Sequence, residues 1–403
     1  MYPKGLNLEN VKITNRSCVL RLLFSDTPLS RTTISDRLSL TQATVTTICN
    51  DFLRQGLILQ QESVASSSKV GRKRSPIAIN YDYKLILAID IHGSSITLSI
   101  VNLHGDVKAA ESFLLPPQEP KDFFRAIAQR CIHLLWINNI SPSDILGAGV
   151  TTLGPVNHVD GVSLHSFTLF DTPVPFKELL EKELPFPVFV ESNVCAYLRA
   201  ELLYCDSSSF RNALILKWGP GVGSASVIDG ALFKGHNYRS SELGHNYVDS
   251  QYGIRCKCGH VGCLETKISL ECIINLILYL TSKGNSSLLK EAAAKYGAPS
   301  KDNILHYLKV QDPTLQSYLR ESCHALAVAT NNAIQILAPD RIILYGDIFE
   351  SDEIIQLFKE EIQGINPEIE SALFAKSPLN SERLYIGAAA VVIEELLIKS
   401  GGS

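Results

Sequence analysis

Residues 242–265 read Glu-Leu-Gly-His-Asn-Tyr-Val-Asp-Ser-Gln-Tyr-Gly-Ile-Arg-Cys-Lys-Cys-Gly-His-Val-Gly-Cys-Leu-Glu, and no other stretch constrains the fold as much. Zinc takes four soft or borderline ligands in a tetrahedron, and His245, Cys256, Cys258 and Cys263 supply that set. Gly253, Gly259 and Gly262 let the loop fold back on the metal. Four protein ligands leave no open coordination position, so one structural Zn2+ per chain is expected. Three cysteines alone could also be buried thiols of a cytosolic core; the histidine on the same loop further favours the metal.

The rest of the chain must house that loop. Its 403 residues exceed one ordinary domain and should divide into two or three. The longest apolar run, about Ile273–Leu280, is far short of a membrane span, and the amino terminus lacks a basic-then-apolar signal pattern. A cytoplasmic protein without membrane insertion is expected, its ten cysteines being reduced thiols or metal ligands rather than a disulfide framework. The net charge of −4 hides an asymmetry: residues 1–80 carry +6 and the remainder −10. Such segregation suits a nucleic-acid module on a body that does not itself bind polyanions.

The basic head parses into three helices and a hairpin. Apolar periodicity runs from Val11 to Leu23, Ser30 caps a short helix through Leu38, and Thr41 caps a third helix with Val45, Ile48, Phe52 and Leu53 as its buried stripe. Two helices joined by a tight turn, then Gly56-Leu57-Ile58 leading into an extended segment, read as a winged helix-turn-helix whose third helix enters the major groove. Arg31, Gln42, Thr44, Thr46 and Thr47 are its candidate DNA contacts. Gly71-Arg72-Lys73-Arg74, after the serine-rich stretch 63–68, suits a mobile arm in a minor groove, which adds Arg72, Lys73 and Arg74.

From Leu85 the pattern changes to buried strands alternating with helices. Strands are expected at Leu85–Ile91, Ile96–Asn102, Gly147–Thr151, Val188–Glu191, Ala213–Trp218, Ser224–Ile228 and Arg341–Leu344, and helices at Lys121–Ile137, Ser269–Leu280 and Ser317–Leu337. This predicts an α/β body of two lobes facing a cleft.

The 242–265 segment resembles the zinc signature of the ROK family, which joins sugar repressors and sugar kinases: E-x-G-H followed by C-x-C-G-x-x-G-C-x-E. The resemblance implies that the histidine and three cysteines bind zinc, while Glu242, His245 and Glu265 reach a sugar's hydroxyls. It extends to the amino-terminal winged head of such repressors and, over nearly all of residues 82–398, to an actin-like sugar-kinase fold. Implied boundaries are a winged helix-turn-helix with its wing at 1–80, a small lobe at 82–198 completed by a carboxy-terminal helix at 386–398, and a large lobe at 199–385.

Kinases of this kind place backbone N–H groups of glycine-rich turns on ATP phosphates and use one aspartate as the base. Each element departs from that pattern here. D-I-G-G-T becomes Asp90-Ile91-His92-Gly93-Ser94; G-T-G-I-G-G-G becomes Gly219-Pro220-Gly221-Val222-Gly223-Ser224-Ala225; G-G-G becomes Tyr345-Gly346-Asp347. The base motif E-N-D-A-N becomes Glu191-Ser192-Asn193-Val194-Cys195, and an amide cannot take a hydroxyl proton at neutral pH. Asn193 can still hydrogen-bond a sugar, so the expected protein is no enzyme but a sensor: a repressor of sugar uptake or catabolism genes, relieved by a sugar. The asparagine-rich sugar loop is also absent, its place taken by Leu164–Asp171. Implied partners are inverted-repeat operator DNA, a small sugar effector and further copies in a dimer or tetramer. The rivals are a sugar kinase with a fused DNA head, a regulator controlled by a protein partner such as a sugar-transport protein, and an unliganded scaffold that dimerises the heads.

Overall fold

The computed structural model describes residues 7–61, 75–167, 169–205, 211–248, 253–284, 286–379, 383 and 385–402. The chain divides into two compact units, Met1–Ser207 with Leu384–Ser403 and Ser208–Arg383.

The first unit opens with helices Leu8–Ser25, Arg31–Leu38 and Gln42–Gln55. The hydroxyls of Ser30 and Thr41 accept the N–H groups of Thr33 and Thr44 at 3.0 and 3.1 Å, which fixes where the second and third helices begin. Gly56, at φ +76°, ends the third helix in the left-handed conformation that glycine adopts cheaply. Strands Ile58–Gln60 and Ile77–Ile79 then pair antiparallel. Val19, Leu20, Leu23, Ile34, Val45, Ile48, Cys49 and Phe52 close a small core, in which Cys49 takes the place expected of the half-buried Leu53.

That core is sealed by the last described residues of the chain. Gly402 sits where a Cβ would lie 2.8 Å from the Phe52 ring and 3.2 Å from Leu20 and Leu57. Arg16, 6% exposed, donates from Nε to the Gly401 carbonyl at 2.6 Å and from Nη1 to Asp51 Oδ2 at 3.1 Å, with its guanidinium 4.5 Å from the Phe52 ring centre. Ser17 Oγ donates to the Ile398 carbonyl at 2.5 Å, and Arg21 pairs with Glu394 at 2.5 Å. The head is thus fastened to the π-helical turn Glu394–Ile398 that follows helix Tyr385–Ile393. Removing one partner of a buried charged pair costs ~3–5 kcal/mol. Arg16→Ala should therefore lower the thermal midpoint and expose the head to protease before the second unit; a melting curve and digestion pattern like those of the parent would show that the fastening contributes nothing.

Beyond the head, a five-stranded sheet runs in the order Val107–Leu114, Ser95–Val101, Leu85–His92, Ile145–Thr152, Val188–Ser192, with two antiparallel steps followed by two parallel ones. Leu87, Ile89 and Ile91 point into a core with Phe123, Phe124 and Phe176. Across the sheet, a Cβ on Gly149 would stand 2.1 Å from the Ala388 carbonyl, so only glycine permits helix Tyr385–Ile393 to lie so close. Helix Asn193–Tyr204 packs on that helix in turn.

The second unit repeats the scheme. Its sheet runs Ala231–Phe233, Val222–Ile228, Ala213–Trp218, Arg341–Tyr345, Phe374–Lys376, again antiparallel twice and parallel twice. Helices Leu270–Ser282, Pro313–Leu337 and Asp352–Ile365 supply Ile273, Ile277, Leu319, Leu326, Phe358 and Ile362 to its core. All seven expected strands and three expected helices are present to within a few residues; Val107–Leu114, Ala231–Phe233 and Phe374–Lys376 were not anticipated. No helix among the described residues is long and apolar enough to cross a membrane.

Candidate functional site

The third helix of the head leaves Gln42, Thr46 and Thr47 exposed and Thr44 half-buried. Thr47 spends its hydroxyl on the Ala43 carbonyl at 3.0 Å, and Thr44 meets Thr41 at 2.9 Å. Arg31 Nη2 donates to Asn50 Oδ1 at 3.1 Å, which braces the second helix against the third. Arg72, Lys73 and Arg74 lie outside the described residues.

In the second unit the donor atoms of His245, Cys256, Cys258 and Cys263 all lie within 4.8 Å of one another. Cys256 Sγ is 3.6 Å from His245 Nδ1, and Cys258 Sγ is 3.6 Å from Cys263 Sγ. A tetrahedron built on ~2.3 Å metal–sulfur bonds has edges of about 3.8 Å, so this group can hold a four-coordinate metal ion. Backbone bonds Cys256 N–H to His260 O at 2.7 Å, Val248 N–H to Gly262 O at 2.9 Å and Leu264 N–H to Asn246 O at 2.9 Å set the ligands in place. Burial pushes both the Cys256 and the Cys263 thiols up, the latter to about 12 with help from its cysteine neighbours. A bound cation acts the other way, by stabilising thiolates.

Beside this group lies the turn Gly219–Val222, which a kinase would use for phosphate. Here it meets carboxylates. Val222 N–H donates to Glu265 Oε2 at 3.0 Å, the same oxygen that a Cβ on Gly221 would approach to 2.4 Å. Asp347 Oδ2 lies 2.8 Å from the position of a Cβ on Gly219. Glu242 begins the short helix Leu243–His245, whose Gly244 presses against the Val222 carbonyl. Burial raises the Glu242 carboxyl against the pull of His245, Arg239 and His260, and it raises Asp347 against Lys301 and Lys217.

In the first unit Asn193 starts helix Asn193–Tyr204 and is 7% exposed. Thr151 Oγ1 donates to Asp90 Oδ1 at 2.5 Å. The buried Glu191 is bound by Arg199 Nε at 3.3 Å and accepts the Ser192 N–H at 2.9 Å, anchoring the segment that carries Asn193. Sequence reading missed Arg199; a lone cation six residues beyond the helix start of a largely apolar stretch was the only signal. It also missed Ser224 and Ser226, whose hydroxyls reach Ser241.

Known proteins resemble the chain over nearly all of its length. It is 24% identical to the xylose repressor of Caldicellulosiruptor bescii over 96% of this chain and 97% of that protein. It is 25% identical to the transcriptional dual regulator NagC of Escherichia coli over 97% and 95%. A solved ROK family transcriptional regulator, described as a homolog of the E. coli MLC protein, superposes with a TM-score of 0.76 at 21% identity, covering 97% of each chain. A ROK hexokinase from Thermus thermophilus superposes with a TM-score of 0.58 at 19% identity, covering 77% of this chain and 98% of its own. The ROK family pattern itself matches residues 86–395, so the chain belongs to the ROK family.

Proposed function

We propose that this chain is a sugar-responsive transcriptional repressor without kinase activity. The observation that carries the reading is the state of the Gly219–Val222 turn: Val222 spends its N–H on Glu265 and Asp347 lies over Gly219, where catalysis would require phosphate oxygens. A carboxylate against a polyphosphate is repulsive, and the base position holds Asn193. The head supports the same reading. Its three helices and strand pair are read as a winged helix-turn-helix, with Arg31, Gln42, Thr44, Thr46 and Thr47 as its DNA contacts on the third-helix side and Arg72, Lys73 and Arg74 supplying phosphate and minor-groove contacts. Relatives along the full length are named repressors of xylose and N-acetylglucosamine systems.

In this reading Glu242, His245 and Glu265 of the second unit hold sugar hydroxyls, Asn193 of the first unit is a further sugar-binding residue, and His245, Cys256, Cys258 and Cys263 hold one structural zinc ion. Carboxylates accept hydroxyl protons in a fixed geometry, which distinguishes epimers. A closed zinc site supplies rigidity rather than chemistry. The protein acts in the cytoplasm as a homo-oligomer on an inverted-repeat operator, since one head covers only a few base pairs.

Incubation with ATP and D-xylose, D-glucose or N-acetyl-D-glucosamine should yield no sugar phosphate above a protein-free blank. General-base loss alone costs ~10²–10⁴ in rate, and the occupied turn adds to it. Turnover in the usual range of ~1–10³ per second would overturn the repressor reading in favour of a kinase with a DNA head.

A further inference from the structure

The turn Gly219–Val222 leads into strand Val222–Ile228, whose side chains hold the segment carrying Glu242. Ser224 Oγ donates to the Ser241 carbonyl and accepts the Leu243 N–H at 3.0 Å, so one hydroxyl bridges the residues on either side of Glu242. Ser226 Oγ meets Ser241 Oγ at 2.6 Å, two residues further along the strand and therefore on the same face. The segment needs holding. Ser241 sits at φ +61°, a left-handed conformation that a non-glycine residue keeps only when its surroundings impose it. Gly244 leaves no room for adjustment, because a Cβ there would lie 1.9 Å from the Val222 carbonyl. Glu265 is tied to the same turn through the Val222 N–H.

We infer that Ser224 and Ser226 are positioning residues for the effector, fixing Glu242 against the Gly219–Ser226 strand-turn while Glu265 is fixed by Val222 of the same element. This rests on the reading that Glu242 and Glu265 hold the sugar. It gives the altered turn a use: in the kinase pattern the residue at 224 is glycine, which has no hydroxyl to offer, and the serine found here supplies the bridge. A carboxylate free to rotate must be ordered by the sugar at the moment of binding, whereas one already fixed spends none of the binding energy on that ordering.

Ser224→Gly tests this in the full chain, with Ser226→Ala as the milder variant and Ser224→Thr as the change that keeps the hydroxyl. Hydrogen exchange of the amides at residues 241–246 should quicken about tenfold or more in Ser224→Gly, less in Ser226→Ala, and stay near the parent rate in Ser224→Thr. Calorimetry with D-xylose and N-acetyl-D-glucosamine should show affinity falling about five- to 150-fold in Ser224→Gly and recovering in Ser224→Thr. Zinc content and operator affinity without sugar should match the parent throughout, which a general loss of fold would not allow. Unchanged exchange at 241–246 overturns the inference whether or not either sugar binds. Sugar affinity lost in Glu242→Gln but kept in Ser224→Gly also overturns it and leaves the effector reading standing. Affinity kept in Glu242→Gln overturns the effector reading itself, and this inference with it.

Discussion

Cys256→Ser protein is expected to lose nearly all its zinc and to unfold in its second unit well below the parent's melting temperature. The segment 242–265 has little regular structure to fall back on: among the described residues it offers one short helical turn and two isolated bridges, Tyr247 with Cys263 and Arg255 with Val261. Apparent binding energies of structural zinc in small peptides reach ~10–16 kcal/mol, as large as the ~5–15 kcal/mol that holds a whole domain together. Even a fraction of that value dominates the local balance. Without the ion the buried Cys256 and Cys263 thiols stay protonated, since burial already disfavours their charged forms. Metal analysis beside a thermal melt reads both effects. A zinc-free Cys256→Ser protein that melts like the parent and still binds DNA would remove the metal from the account.

The second large effect is functional. Glu242→Gln should leave zinc content and operator affinity close to the parent's and abolish release by sugar, because an acceptor is replaced without touching a metal ligand. A buried polar partner left unsatisfied costs ~1–3 kcal/mol, which weakens sugar binding roughly five- to 150-fold. The operator then stays occupied at sugar concentrations that release the parent, and a reporter gene remains repressed. Glu265→Gln should be the more severe, since Glu265 also accepts the Val222 N–H at 3.0 Å. Mutants that leave the operator at the parent's sugar concentration would show that these carboxylates do not sense it.

What could be read in advance followed the range of the physics involved. Ser30 and Thr41 were legible as caps because capping depends on three neighbouring residues only. The clustering of His245, Cys256, Cys258 and Cys263 was legible because closely spaced soft ligands signal a metal regardless of the surrounding fold. Strand Val107–Leu114 was not, since it lies at a sheet edge and its Lys108 and Glu111 break any apolar run. The boundary drawn after residue 80 missed that the head's core is closed by Gly401 and Gly402, a contact across more than three hundred residues that leaves no periodic trace. The kinase-type turn was recognised as altered, yet what its serine does required seeing Ser241 and Leu243 on either side of the hydroxyl.

Tight, reversible operator binding under the control of a sugar is the central claim, and one titration tests it most directly. Purified protein is mixed with labelled DNA from upstream of its own gene at physiological salt, and fluorescence anisotropy follows D-xylose, D-glucose and N-acetyl-D-glucosamine in turn. Specific operator affinity of ~10⁻⁸–10⁻¹¹ M is expected without sugar, falling at least tenfold with one of the three, which needs only about 1.4 kcal/mol of coupling between effector site and head. Binding no tighter than to unrelated DNA, or specific binding that none of the three sugars weakens, would contradict the account.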